Sequence, residues 1–221
     1  MNDPAGVATK APRHRNPRGE GARLSREIVD GALAIVTRTG SSEAVTLRSV
    51  AREVGIAAPS IYAHFPDRDA ILAGVVLRVF DDLKDRIEEA MAPLSDPVER
   101  LVAGCQAYVS FGLENPGAYQ TLFARPPLEV DPGPPLEFPF EALPPVGGEG
   151  FALLVDGIRQ CVDAGVSSST DVFADATAVW VALHGTISLR STMCEGPWPD
   201  GQGFVRRLAI SLARIRTDLN S

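Results

Sequence analysis

The stretch from Thr46 to Phe65 constrains this chain more than any other. The Thr46 hydroxyl is suited to accept from a free backbone N–H of a first helical turn. Leu47, Val50, Ala51 and Val54 then recur at i, i+3, i+4 and i+7, one apolar helical face, with Arg48, Ser49, Arg52 and Glu53 on the other. Gly55 is the residue that most readily takes the left-handed conformation ending a helix, and Ile56 plugs the turn. A second short helix starts near Ala58, with Pro59 in its first turn, where its missing N–H is not needed. Ile61 and Phe65 point inward, which leaves Ala57, Ala58, Ser60, Tyr62 and His64 outward or along the edges.

Pro66 stops this helix and Asp67 caps the next, placing Arg68 in a first turn, where a cation opposes the helix dipole. An anionic partner such as phosphate relieves that conflict. Two short helices across a tight turn, the second with small residues at its start, suit docking into the major groove of DNA. Singly, each residue has a plainer reading: Tyr62 covering the core with its ring, His64 as a surface histidine, Arg48 and Arg52 as a solvated face. Their joint spacing favours DNA.

The net charge of −7 argues against nucleic acid, but its distribution reverses that impression. Residues 1–68 hold ten Lys and Arg against seven acids, a net +3, while the remainder holds eleven against 21, a net −10. A basic head on an acidic body is what a protein presenting one end to DNA should show.

The segment from Ser25 to about Leu72 resembles the DNA-binding domain of the TetR family of bacterial transcriptional regulators. The features that carry the likeness are the inward stripe Ile28, Ala32, Ile35 and Val36 ending near Gly40, the Thr-capped second helix, the glycine turn, and a recognition helix ending Tyr62-Ala63-His64-Phe65. The resemblance implies a three-helix helix-turn-helix domain over 24–70. In it Arg48 contacts base or phosphate, Ala57, Ala58 and Ser60 face base edges with Pro59 among the DNA-binding residues, and Thr46, Tyr62, His64 and Arg68 lie at the DNA backbone. Ala57 and Ala58 offer only apolar contact, so specificity leans on Arg48, Ser60 and DNA shape. Residues 1–23 are poor in bulky apolar groups and read as a disordered arm, either a basic phosphate-contacting arm or an inert tail.

Beyond Asp69 the pattern stays helical, and with no sustained strand alternation the fold class is all-α with about nine helices. A long fourth helix carries Ile71, Leu72, Val75, Val76, Val79, Phe80, Leu83 and Ile87 to near Met91. Residues 126–148 hold eight prolines and read as a loop, either a flap or disordered. Helices resume at Phe151, and the last runs from about Gly203 to Leu219.

Trp180-Val181-Ala182-Leu183-His184-Gly185 resembles the Trp-x-x-x-His-Gly signature of one C-terminal subfamily of these regulators. By that resemblance 71–221 is a ligand-binding and dimerisation domain. Its last two helices pair with a second copy, Gly185 allows close approach, and the homodimer meets a near-palindromic double-stranded operator. Tyr108, Phe111, Tyr119, Phe123, Phe151, Trp180 and His184 are candidate walls for a small apolar or amphiphilic effector, with Met91 beside them. Ordinary core packing is the competing reading for each, and the preferred one for His184.

The sequence shows no nucleophile elbow, phosphate-cradling loop or metal-ligand spacing, so neither enzyme activity nor a cofactor is expected. With no signal-peptide core and no apolar stretch long enough for a bilayer, the protein is expected to be cytoplasmic, without membrane partners. Cys105, Cys161 and Cys194 are odd in number and far apart, so reduced, mostly buried thiols are expected. The leading function is an effector-released repressor; the alternative is a thiol-redox-responsive regulator with the same head.

Overall fold

The computed structural model describes residues 20–123 and 145–216 of the chain. Among them the architecture is all-helical: α1 (Glu20–Thr39), a 3-10 turn (Ser42–Ala44), α2 (Leu47–Val54), α3 (Ala58–Ile61), α4 (Arg68–Met91), α5 (Pro97–Glu114), α6 (Pro116–Phe123), α7 (Pro145–Asp163), α8 (Val172–Thr192) and α9 (Gly201–Leu212).

Local chemistry explains most of these boundaries. Thr46 caps α2 by accepting from Ser49 N, and the Ser49 hydroxyl accepts from Thr46 N in return. Gly40 and Gly55, at φ +69° and +75°, follow α1 and α2 in the left-handed conformation that glycine adopts without steric cost. Asp67, Asp96, Asp171 and Asp200 each accept a first-turn N–H at the starts of α4, α5, α8 and α9.

Ile28, Ala32, Ile35 and Val36 of α1 pack with Val50, Ala51, Ile61 and Ile71 to close the N-terminal head. Bidentate pairing of Arg38 with Glu53, at 3.2 and 2.8 Å, ties α1 to α2. Helix α4 leaves the head and enters the body, burying Ile71, Val75, Val79, Leu83, Ile87 and Met91 at every fourth position. There it packs against α5, α6 and α7, while α5 also meets α8 and α9. The 2.7 Å that would separate a Cβ at Gly112 from Ile187 marks how closely α5 and α8 approach.

Several expected boundaries move. Helix α1 begins at Glu20, so the arm drawn over 1–23 overlaps it, and residues 1–19 of that arm lie outside the described residues. Helix α7 begins at Pro145 instead of Phe151, because proline is tolerated in a first turn; the rest of the proline-rich loop, 126–144, lies outside the described residues. Helix α9 spans Gly201–Leu212, short of Leu219, because the chain turns at Ala213 and Arg214 takes φ +52°.

By length and composition Val172–Thr192 is apolar enough to cross a membrane, contrary to the expectation that no stretch would qualify. Its place in the bundle argues for a core helix. Ala176, Val179, Leu183 and Ile187 are buried in the core, and its buried Asp175 pairs with Arg214.

Candidate nucleic-acid interface and interior cavity

Most of the residues expected at DNA lie at the surface of the head. Thr46, Arg48, Ala57, Pro59, Ser60 and Tyr62 are exposed and Ala58 is half-buried against the core. Tyr62 is 63% exposed, which excludes the reading in which its ring covers the core. His64 is not a free surface side chain: its Nδ1 lies 3.0 Å from the Ser25 hydroxyl, linking the end of the α3 region to α1.

Arg68 is bonded within the chain. Its Nε donates to the Val45 carbonyl and one terminal nitrogen donates to the Ser42 carbonyl, both at 2.8 Å, while the other sits 3.4 Å from Asp69. The conflict with the helix dipole is thus eased within the chain, by the Val45 carbonyl and by the Ser42 carbonyl, which also accepts from Val45 N–H. Arg68 pins the start of α4 to the segment before α2.

Inside the body lies a cavity of about 1060 Å³. Leu72, Ala73, Val76, Phe80, Leu83, Ile87 and Met91 of α4 form one wall, facing Leu101, Gly104, Cys105 and Tyr108 of α5. Phe151, Leu153 and Leu154 of α7 and Phe173, Thr177, Trp180 and Leu183 of α8 form much of the rest. Its other end reaches Ser42, Glu43, Arg68 and Asp69, at the joint between body and head.

Of the candidate walls, Tyr108, Phe123, Phe151 and Trp180 line this cavity. Phe111 does not: it is buried in the core, one turn along α5 from Tyr108. Tyr119 and His184 border a second, smaller cavity of about 370 Å³ with Gln120, Ser188 and Ser191; Phe123 touches both. Aromatic content could not separate these positions. The missed walls, Leu72, Val76 and Phe80, share the apolar stripe of α4 with core residues, and nothing in the sequence marks which stripe position meets a neighbour and which meets a void.

Polar groups join the two cavities. Trp180 Nε1–H donates to the Tyr108 hydroxyl at 3.2 Å, the Tyr108 and Tyr119 hydroxyls are 2.8 Å apart, and the Tyr119 hydroxyl is 2.8 Å from His184 Nδ1. His184 Nε2 lies 3.4 Å from the Ser188 hydroxyl. Burial raises both phenols above their ordinary range and lowers His184 below the usual imidazole range, so all three are held neutral at pH 7. The His184 ring also meets the Phe123 ring edge-on at 4.4 Å.

No cysteine among the three is in a disulfide. Burial pushes the Cys105 thiol up to about 12 and, with help from Asp96, the Cys161 thiol up to about 11, which disfavours the reactive thiolate. Cys194 is exposed, where a buried thiol was expected. It follows α8 in a turn that no helical periodicity reaches.

Residues 28–75 match the family described as bacterial regulatory proteins, tetR family, and residues 101–201 match the tetracyclin repressor-like C-terminal domain. An uncharacterized HTH-type transcriptional regulator of Mycobacterium tuberculosis is 31% identical over 179 residues, covering 77% of this chain and 72% of its own. A Rhodococcus sp. protein of unknown function shares the fold with a TM-score of 0.68 at 21% identity, over 93% of this chain and 98% of the other. The TetR family regulator PfmR of Thermus thermophilus does so with a TM-score of 0.56 at 22% identity, over 88% and 99%. With both domain matches in chain order and a relative similar across most of its length, the chain belongs to the TetR family of transcriptional regulators, and its N-terminal head is the family's DNA-binding domain.

Proposed function

We propose that the protein is a homodimeric, cytoplasmic repressor that leaves its operator when a small apolar or amphiphilic effector fills the larger cavity. The observation carrying this reading is the course of α4. One of its faces lines the cavity from Leu72 to Met91, and its first residue, Arg68, is bonded to the carbonyls of Ser42 and Val45 in the head. An occupant pressing on Leu72, Val76 and Phe80 therefore bears on the helix that sets where the head points. A ligand acts this way only if it prefers one arrangement of α4 over the other.

The DNA-facing set is Thr46, Arg48, Ala57, Ala58, Pro59, Ser60 and Tyr62, with His64 placing the end of the recognition segment against α1. Arg48 and Ser60 supply the hydrogen bonding and the alanines supply contact to thymine methyls. On this reading the head extends through residue 70 and the body from residue 71. Dimerisation is supported by α8, where Val181 and Leu189 are exposed on either side of Gly185, and a Cβ at Gly185 would meet nothing within 4 Å. A second copy would cover this stripe and give the pair of heads a two-fold relation suited to a near-palindrome.

Fluorescence anisotropy with DNA from upstream of the protein's own gene tests the reading. Binding should prefer that sequence over a scrambled one, weaken with salt, and fall at least tenfold in Arg48→Ala; equal affinity for both sequences sinks it. Gly185→Leu should shift the sedimentation coefficient toward that of a monomer.

A further inference from the structure

The chain of hydrogen bonds from Trp180 to Ser188 has two possible directions, and they differ in what they offer the larger cavity. In one, Trp180 donates to Tyr108, Tyr108 to Tyr119, Tyr119 to His184 Nδ1, and His184 Nε2–H to Ser188; every donor from Trp180 to His184 is used within the protein. In the other, His184 carries its proton on Nδ1 and donates to Tyr119, which donates to Tyr108. The Tyr108 hydroxyl then accepts from both Trp180 and Tyr119, and its own proton needs an acceptor.

Tyr108 and Trp180 line the larger cavity while Tyr119 and His184 do not. An acceptor brought by an occupant of that cavity is therefore the natural partner for the Tyr108 proton. The remaining described lining is mostly aliphatic or aromatic, and Arg68 is its one basic residue. The Arg68 guanidinium is already bonded to two carbonyls and beside Asp69. A carboxylate head in this cavity would lack a counter-charge, a cost that an uncharged head avoids.

We propose that Tyr108, backed by Tyr119 and His184, is the specificity-determining group of the larger cavity, and that the cavity takes uncharged amphiphiles bearing one carbonyl-type acceptor. The apolar remainder of such a ligand lies against Leu72, Val76, Phe80 and Leu83. Binding reverses the hydrogen-bond chain and moves the His184 proton from Nε2 to Nδ1, with no change in the number of protons. The inference rests on the reading of this cavity as the effector site, and it goes further by naming the ligand's chemical class and the groups that read it.

The test uses the full chain carrying Trp198→Phe, which leaves Trp180 as the sole tryptophan of the two and makes its fluorescence report on the cavity. 2-Decanone and decanoate serve as probes of equal carbon number, in that background and with Tyr108→Phe added. The ketone should bind at least tenfold tighter than decanoate. Tyr108→Phe should weaken ketone binding about five- to tenfold, as the loss of one hydrogen bond implies, and leave decanoate nearly unchanged. With ¹⁵N-labelled histidine, the His184 resonances should pass from the Nε2–H to the Nδ1–H tautomer on ketone binding and fail to do so in Tyr119→Phe. Equal ketone affinity with and without Tyr108, tighter decanoate binding, or an unmoved tautomer overturns the inference. Binding of neither probe overturns it together with the effector reading, whereas selective ketone binding that leaves DNA affinity untouched sinks the effector reading alone.

Discussion

A Cβ at Gly117 would lie 2.8 Å from the carbonyl oxygen of Val36. The second residue of α6 thus rests directly on the last turns of α1, backbone against backbone, with the Gly40 Cα only 3.1 Å from the same point. This is a contact between body and head that does not pass through α4. Neither partner is a flexible side chain, so nothing can rotate away.

Gly117→Ala should therefore destabilise the protein. Overpacking of this kind costs about 1–3 kcal/mol, against which alanine's better helix propensity returns only ~1 kcal/mol. Thermal unfolding should show a Tm lower by a few degrees. An unchanged or raised Tm would mean that α6 can slide off α1 freely.

Arg68 offers a sharper distinction, between a structural tie and a phosphate clamp. Arg68→Lys keeps the charge but cannot bridge the Ser42 and Val45 carbonyls in the same planar geometry. The substitution should cost about 1–3 kcal/mol in urea unfolding while leaving the salt dependence of DNA binding nearly unchanged. Full stability with weakened DNA binding would return Arg68 to the DNA contacts.

Arg214 and Asp175 pair across the C-terminal end of the bundle, with both Asp175 oxygens within 3.0 Å of the Arg214 Nε. Asp175 is buried, so Arg214→Ala leaves it without its cation and should cost about 1–3 kcal/mol. The backbone at Arg214 sits at φ +52°, where a side chain is strained. Arg214→Gly should lose the same pair yet recover about 1 kcal/mol of that strain relative to Arg214→Ala. Chemical denaturation of the two variants side by side measures the difference, and equal losses would place no strain at this residue.

His184 gives the pH dependence. Burial lowers its folded-state pKa, so the unfolded chain takes up a proton first as pH falls. Below about pH 6.5, the ordinary imidazole value, the folded state is progressively disfavoured, and above it this contribution to stability is fully present. The midpoint of urea unfolding should fall between pH 7 and pH 5.5, and His184→Gln should flatten that part of the profile. A slope unaltered by the substitution would assign the dependence to other groups.

What was legible beforehand divides along a physical line. Thr46, Gly55 and Asp67 act on backbone groups within a few residues of themselves, so the head could be drawn from local spacing, and the core positions Ile28, Ala32 and Ile61, with Phe65 packed against them, followed from periodicity. Glu20 and Pro145 were misplaced as helix starts because glycine and proline nearby weaken the periodic signal without forbidding a first turn. The cavity was less accessible. Phe111 and Tyr108 are both aromatic residues of one helix, three positions apart, and only the arrangement of α4, α7 and α8 decides that one meets core and the other a void.

The sequence by itself determined most of the helices, the caps at Thr46 and Asp67, and the uneven charge between head and body, since each is written in residues close together along the chain. Tertiary structure alone decided that Arg68 spends its hydrogen bonds on Ser42 and Val45, that Gly117 carries α6 on α1, and that Tyr108, Tyr119 and His184 form one chain. Those contacts join residues 11 to 81 positions apart, and no pattern of composition or spacing records which distant groups will meet when helices pack.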